Sequence, residues 1–387
     1  MNESKRSAAA VIPPCILIVA VTYGFARYSF GLFLPEIRHD MGMSIVQAGA
    51  AVSTSYFGYL VASLVATAIS GRTGPKMPVV LGGVLATTGL LVASFATSSS
   101  LLIAGLFVAG MSPGLSYPPL SDAITRMVVA RDRDWIYTSI NSGTSIGIVI
   151  SAPVALFFVA DWRLCLFSFA VIAALVTIWN LMIMPSGPFI DNSIHARWPV
   201  TFEWMVNRRS IPLYLSAFLF GISSSIYWVF SPELLINNQG LSKYFTTIFW
   251  LFIGLSGLLG AGVGGLLRQV GLRMALLVTL GVYSVSLILF AFAPSSAAAA
   301  LASASLFGAA FIAVTGIFGV WSMYVFPERP SAGFGAVFLL ISIGQFFAPV
   351  VGGRIAEEYG MEMLFAGACV IGMACLFFLP DRALKAK

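Results

Sequence analysis

The chain has 387 residues, of which 59% are hydrophobic and only 9% charged, against about 25% charged in soluble domains. That composition excludes a water-soluble fold and places the chain in lipid. The formal charge of +6 comes from basic residues scattered through short segments rather than gathered on one face, which excludes a nucleic-acid partner.

A hydrocarbon core about 30 Å thick takes roughly 20 apolar residues per helix. Residues 1–7 read as a short polar leader that runs straight into an uncleaved first helix, not as a secretory signal. The expected spans are 13–37, 46–70, 77–96, 100–123, 136–160 and 164–184, then 211–236, 245–267, 274–293, 299–325, 333–356 and 362–380. The expected fold is therefore all-α, with twelve transmembrane helices in two six-helix bundles. The bundles are residues 1–184 and 211–387, joined by a polar cytoplasmic linker over 185–210 that carries Trp198 and Trp204 at headgroup level.

Placing the amino terminus inside puts sixteen of the 21 Lys and Arg residues in inner segments. Four (Arg38, Arg163, Lys243 and Arg354) fall outside, and Arg27 remains within a span. This bias predicts that both termini are cytoplasmic, in the inner membrane of a bacterium. Cys15, Cys165, Cys369 and Cys375 all fall in apolar spans at no metal-ligand spacing, so neither a disulfide nor a metal site is expected.

The second half repeats the first. Gly24, Pro35 and Glu36 recur as Gly221, Pro232 and Glu233, an offset of 197 (221−24). The same offset links Ser145-Ile146-Gly147 to Ser342-Ile343-Gly344 and Gly74 to Gly271. Parallel repeats of this size are the architecture of alternating-access transporters. One position breaks the repeat: Arg27 has Ser224 as its mate.

The loop after the second span reads Thr67-Ala-Ile-Ser-Gly71-Arg72-Thr73-Gly74-Pro75-Lys76, and the one after the eighth reads Gly264-Gly-Leu-Leu-Arg268-Gln269-Val270-Gly271-Leu272-Arg273. Together with the six-plus-six pattern and the repeat, these loops resemble the major facilitator superfamily, over nearly the whole length. That family has Gly-x-x-x-Asp-Arg-x-Gly-Arg-Lys here. Arg72, Gly74 and Lys76 match, while Gly71 stands at the acidic position. The resemblance implies a cytoplasmic gate, with Asp122 the available partner for Arg72 or Arg126. The segment GFARYSFGLFLPE is similar to the YbfB/YjiJ branch of bacterial facilitators and to the sugar- and drug-efflux branch.

Arg27 lies near the bilayer midplane, where an arginine costs at least roughly 2.5–3.5 kcal/mol. It therefore needs a partner or a watery cavity. The expected function is secondary active or facilitative transport of a small organic solute by a rocker-switch motion, with an organic anion held at Arg27. The competing expectation is a proton-coupled exporter of amphipathic drugs or sugars in which Arg27 is structural. The candidate binding set is Arg27, Tyr23, Tyr56, Tyr117, Asn141, Ser224, Tyr227 and Gln345, because buried phenols and amides need hydrogen-bond partners. Tyr28, Tyr59, Ser116, Trp228, Trp250 and Trp321 share that depth. Glu36 and Glu233 are expected as exposed helix-end groups, paired with Arg38 or Lys243, and are gate or proton-coupling candidates beside Asp122, Arg72 and Lys76. The two histidines, His39 and His195, lie in loops, and no cluster of catalytic type or phosphate loop occurs, so no enzyme and no cofactor are expected. The expected partners are a small-molecule substrate, the bilayer and, if transport is coupled, a proton. The protein is expected to act as a monomer.

Overall fold

The computed structural model describes residues 8–127, 136, 139–158, 161–187, 205–327 and 330–381. Within them the chain forms twelve helices and no strand. Eleven of the helices are long and apolar enough to cross a membrane, and the last is a shorter apolar helix. The amino-terminal half contains α1 (8–41), α2 (Ile45–Thr73), α3 (Lys76–Ser94), α4 (Ser99–Met127), α5 (Gly143–Phe157) and α6 (Trp162–Ile183). The carboxy-terminal half contains α7 (Ser210–Glu233), α8 (Lys243–Gly260), α9 (Val263–Phe292, two helical stretches joined at Gly271, whose φ of +77° and ψ of 168° are not helical), α10 (Ala297–Val325), α11 (Pro330–Tyr359) and α12 (Met361–Ala374).

The repeat holds in the backbone. Gly74 and Gly271 both take left-handed φ angles, +79° and +77°, in the loops that the sequence motif marks. A Cβ at Gly74 would also strike the Gly187 carbonyl. Within the amino-terminal half, α1 and α5 meet at Gly24 and Gly147, where a Cβ on Gly24 would lie 2.6 Å from the Gly147 Cα. Their repeat mates Gly221 and Gly344 do the same for α7 and α11: a Cβ on Gly344 would lie 3.2 Å from the Gly221 carbonyl carbon. Small residues let membrane helices approach to backbone contact, and here they lock each half together internally.

Two expected boundaries change. The eighth span was expected to run to residue 267, but α8 ends at Gly260 and the chain breaks at Ala261-Gly262 before α9 begins. Gly257 packs on Ser145 of α5 and Gly260 on Ala309 of α10, whereas Cβ atoms on Gly264 and Gly265 would meet nothing within 4 Å. No side chain there holds α8 in line. The fifth span was expected unbroken from 136; the described residues are helical at 139–141 and turn at Ser142 before the continuous helix Gly143–Phe157.

The halves meet along α2 with α11, α5 with α8, and α1 with α7. At the end where α1 turns into α2, Gly31 packs on the Trp228 carbonyl and Gly353 sits with its notional Cβ 2.9 Å from the Val46 Cα. All four cysteines are free and buried.

Candidate solute-binding site

The first helix is not α-helical throughout. Ala20–Tyr28 form nine residues of π-helix, and the N–H of Ser29 donates to the Gly24 carbonyl five residues back. Short π segments in long helices favour functional positions because they re-aim side chains. Every residue of this segment is buried, and its last turn carries Arg27.

Arg27 is 4% exposed. Its Nη2 donates to Oε1 of Gln345 at 2.6 Å and to Oγ of Ser342 at 3.3 Å, both on α11 of the opposite half. Four tyrosine rings surround the guanidinium: Tyr59 at 4.1 Å from Cζ to centroid, Tyr56 at 4.8 Å, Tyr23 at 5.7 Å and Tyr28 at 5.8 Å. Cation–π contacts of this kind are worth roughly 0.5–2 kcal/mol each. Together with the charged-donor hydrogen bonds they offset the cost of holding arginine in lipid. Nε and Nη1 have no hydrogen-bond partner among the described residues.

Beside the guanidinium lies a small cavity between the halves, about 30 Å³, room for a water molecule or two in this closed arrangement. Its amino-terminal wall includes Tyr23, Arg27, Tyr28, Tyr59, Tyr117, Asn141 and Thr144. Its carboxy-terminal wall includes Phe311, Thr315, Phe338, Ser342 and Gln345. Tyr117 donates to Oδ1 of Asn141 at 3.1 Å. Tyr28 stacks on Trp228 with centroids 4.6 Å apart, and Phe311 packs edge-on to both. Among the described residues, no carboxylate lines the cavity.

The cavity thus gathers Arg27, Tyr23, Tyr117, Asn141 and Gln345 from the expected set, and Tyr56 stands under the guanidinium. Ser224 and Tyr227 are corrections. Ser224 is fully buried and donates to its own helix at the Gly221 carbonyl. Tyr227 bonds Ser303 at 2.7 Å and stacks on Phe307 in the packed interior of the carboxy-terminal half. Both satisfy their polar atoms locally, so nothing turns them toward the cavity. Thr144, Phe311, Thr315, Phe338 and Ser342 escaped the sequence reading because aromatic and hydroxyl residues recur at similar depth in many spans. Ser342, as a repeat mate of Ser145, carried the only sequence signal.

The glutamates pair with the cations expected, Arg38 and Lys243, but differ from expectation in their burial. Glu233 is 2% exposed and its carboxylate pairs with Arg38, while Asn237 donates to the same oxygen at 2.7 Å. Glu36 pairs with Lys243 at 3.3 Å. Neither is an exposed helix end. Each repeat-related glutamate takes its cation from the opposite half, so two ion pairs cross the interface at the α1–α2 end. Asp40 and Arg163 form a third, exposed pair within the amino-terminal half. Of the other gate candidates, Lys76 opens α3 half-buried, and the side chains of Arg72 and Asp122 lie outside the described residues.

Two helical bundles enclosing a ring-lined cavity are the build of a multi-pass membrane transporter of a small molecule. The Major Facilitator Superfamily model matches residues 16–342. The chain belongs to that superfamily. It is 22% identical over 383 residues to the purine ribonucleoside efflux pump NepI of Shigella dysenteriae serotype 1, covering 97% of this chain and 96% of that protein. Against NepI of Salmonella typhimurium the identity is 23% over 369 residues, covering 93% and 91%. The fold is similar to that of the nucleoside transporter NupG, with a TM-score of 0.72 at 14% identity over 96% of this chain and 97% of that one. It is also similar to a POT family transporter in complex with 5-aminolevulinic acid, with a TM-score of 0.76 at 14% identity over 96% and 95%.

Proposed function

We propose that the protein exports a small, planar, polar solute of nucleoside type by alternating access of its two halves. The observation that carries this reading is the donor-rich guanidinium of Arg27, with Nε and Nη1 unpartnered, set in a cage of tyrosine rings. A flat heterocycle suits such a site twice over. Its face stacks on aromatic rings, worth about 1–3 kcal/mol per base. Its acceptor edge takes two parallel N–H bonds from arginine, as purine O6 and N7 do. The NepI relatives, purine ribonucleoside efflux pumps, support the same substrate class and direction. The distribution of basic residues supports an inner-membrane orientation with both termini cytoplasmic.

A second reading, transport of an organic anion, is favoured by one specific observation: no carboxylate among the described residues lines the cavity to balance Arg27. A carboxylate would use the same bidentate geometry.

Thermal-shift measurements on purified protein separate the two, since a ligand that binds the folded state raises Tm. Guanosine, benzoate and glucose are compared on the wild type and on Arg27→Ala. Nucleoside transport predicts that guanosine stabilises only the wild type, with benzoate and glucose inert. Stabilisation by benzoate alone establishes the anion reading. Equal shifts in both proteins return Arg27 to a structural role and sink both.

A further inference from the structure

Arg27 spends its shortest hydrogen bond on another part of the same protein. Nη2 donates to Oε1 of Gln345 at 2.6 Å. Gln345 is 1% exposed, lies on α11 of the opposite half, and forms part of the cavity wall. Its Nε2 finds no hydrogen-bond partner among the described residues. The amide oxygen therefore stands where a solute's acceptor would stand. It offers the arginine the same chemistry, an uncharged sp² oxygen in a dry site.

We propose that Gln345 is an internal stand-in for the solute: its amide oxygen occupies Arg27 in this closed arrangement, and an arriving solute must displace it. This rests on the reading of Arg27 as the binding residue. Displacement exchanges one hydrogen bond to a charged donor for another, so the net change is small even though each bond is strong. It also frees an amide that can turn its N–H toward the solute. A glutamate in the same place would form a buried ion pair, and breaking such a pair strands an uncompensated charge. A neutral competitor is what a site that must both bind and release requires. The exchange is also mechanical. Arg27 belongs to α1 and Gln345 to α11, so displacement removes a direct bond between the halves and substitutes one that runs through the cargo. The repeat mate of Arg27 makes no such bond, because Ser224 is satisfied at the Gly221 carbonyl.

The sign of a mutation distinguishes a competitor from an ordinary wall contact. Gln345→Leu keeps most of the volume and removes the acceptor. Gln345→Glu keeps the shape and strengthens the hold on Arg27. Phenylglyoxal, which condenses with free guanidinium nitrogens, reports on Arg27 without any knowledge of the substrate. The purified full-length protein is exposed to the reagent, and Arg27 modification is followed by peptide mass spectrometry. Modification is expected several-fold faster in Gln345→Leu than in the wild type, and slower in Gln345→Glu. Guanosine and benzoate serve as probes in parallel. Whichever stabilises the wild type should bind more tightly to Gln345→Leu and lose its effect on Gln345→Glu. Rates that move together in the two variants, or not at all, overturn the proposal, as does weaker probe binding by Gln345→Leu. Should the leucine variant fail to fold, an unchanged rate in Gln345→Glu overturns it alone. Absence of a thermal shift with either probe on the wild type counts against the transport reading only, because the phenylglyoxal comparison still decides the role of Gln345.

Discussion

The two halves share a backbone plan and differ where it matters chemically. In α1 the residues 20–28 form a π-helix that carries Arg27 into the interface. Their repeat mates, 217–225, lie within the regular helix α7. The mate of Arg27, Ser224, folds back on the Gly221 carbonyl, and the carboxy-terminal half places its π turn at Leu234–Asn238, at the end of the helix. One half therefore supplies the charge and the other supplies neutral acceptors, Gln345 and Ser342. The lesson is that repeat symmetry is kept by glycine contacts and turn geometry, which serve folding, and is broken by the side chains that face the cavity.

The strongest way to break this comparison is to make the halves alike. Ser224→Arg is expected to cost more than about 3 kcal/mol and to abolish properly folded protein, because the new charge meets only the packed interior and has no tyrosine cage. Fluorescence-detected size exclusion from membranes checks this, and a monodisperse peak at wild-type yield would contradict it. Next in size are the shared contacts. Gly147→Leu and Gly344→Leu should each destabilise by about 3 kcal/mol through overpacking against α1 and α7. The comparison predicts equal losses in Tm for the two, and a loss confined to one half would show that the repeat is not mechanically equivalent.

The two crossed ion pairs sharpen the same contrast on a smaller scale. Glu233→Gln leaves Arg38 facing a neutral amide. Because Arg38 is 22% exposed, the expected loss is about 2 kcal/mol, below the roughly 3–5 kcal/mol of fully buried pairs. Glu36→Gln should cost no more than about 1 kcal/mol, since its partner Lys243 is 59% exposed and screened by solvent. Both variants should favour opening at the α1–α2 end, read as faster labelling of a cysteine introduced at Thr247, which is buried in the crevice beside Glu36 and Lys243. Labelling that matches a Thr247→Cys background with native glutamates would refute the latch role. Smallest of all is Asp40→Asn. That exposed pair lies within one half, so a change of only a few tenths of a kcal/mol is expected, with no effect on labelling.

Much of the fold was legible in the residues. Hydropathy marks the helices because lipid requires each span to satisfy its own backbone bonds, and the 197-residue offset (221−24) pairs Gly24 with Gly221 and Gly147 with Gly344, so that a contact within one half implies its counterpart in the other. Of the site, Arg27 stood out because a midplane charge is costly wherever it points. What could not be read was direction. Tyr227 and Tyr28 are both phenols in equivalent helices, yet one is spent on Ser303 inside its half and the other faces the cavity.

The amino-acid sequence alone determined that this chain is a twelve-helix membrane protein of two repeated halves, with one arginine inside an apolar span that its repeat mate does not share. Those properties follow from composition, period and offset, which act one residue at a time. Only the tertiary structure decided that the charge is caged by four tyrosines, that it leans on Gln345 across the interface, and that Glu36 and Glu233 exchange cations between halves. Such pairings depend on helix rotation and the π-helical shift in α1. Both are set by packing among helices far apart in the chain, and no local pattern records them.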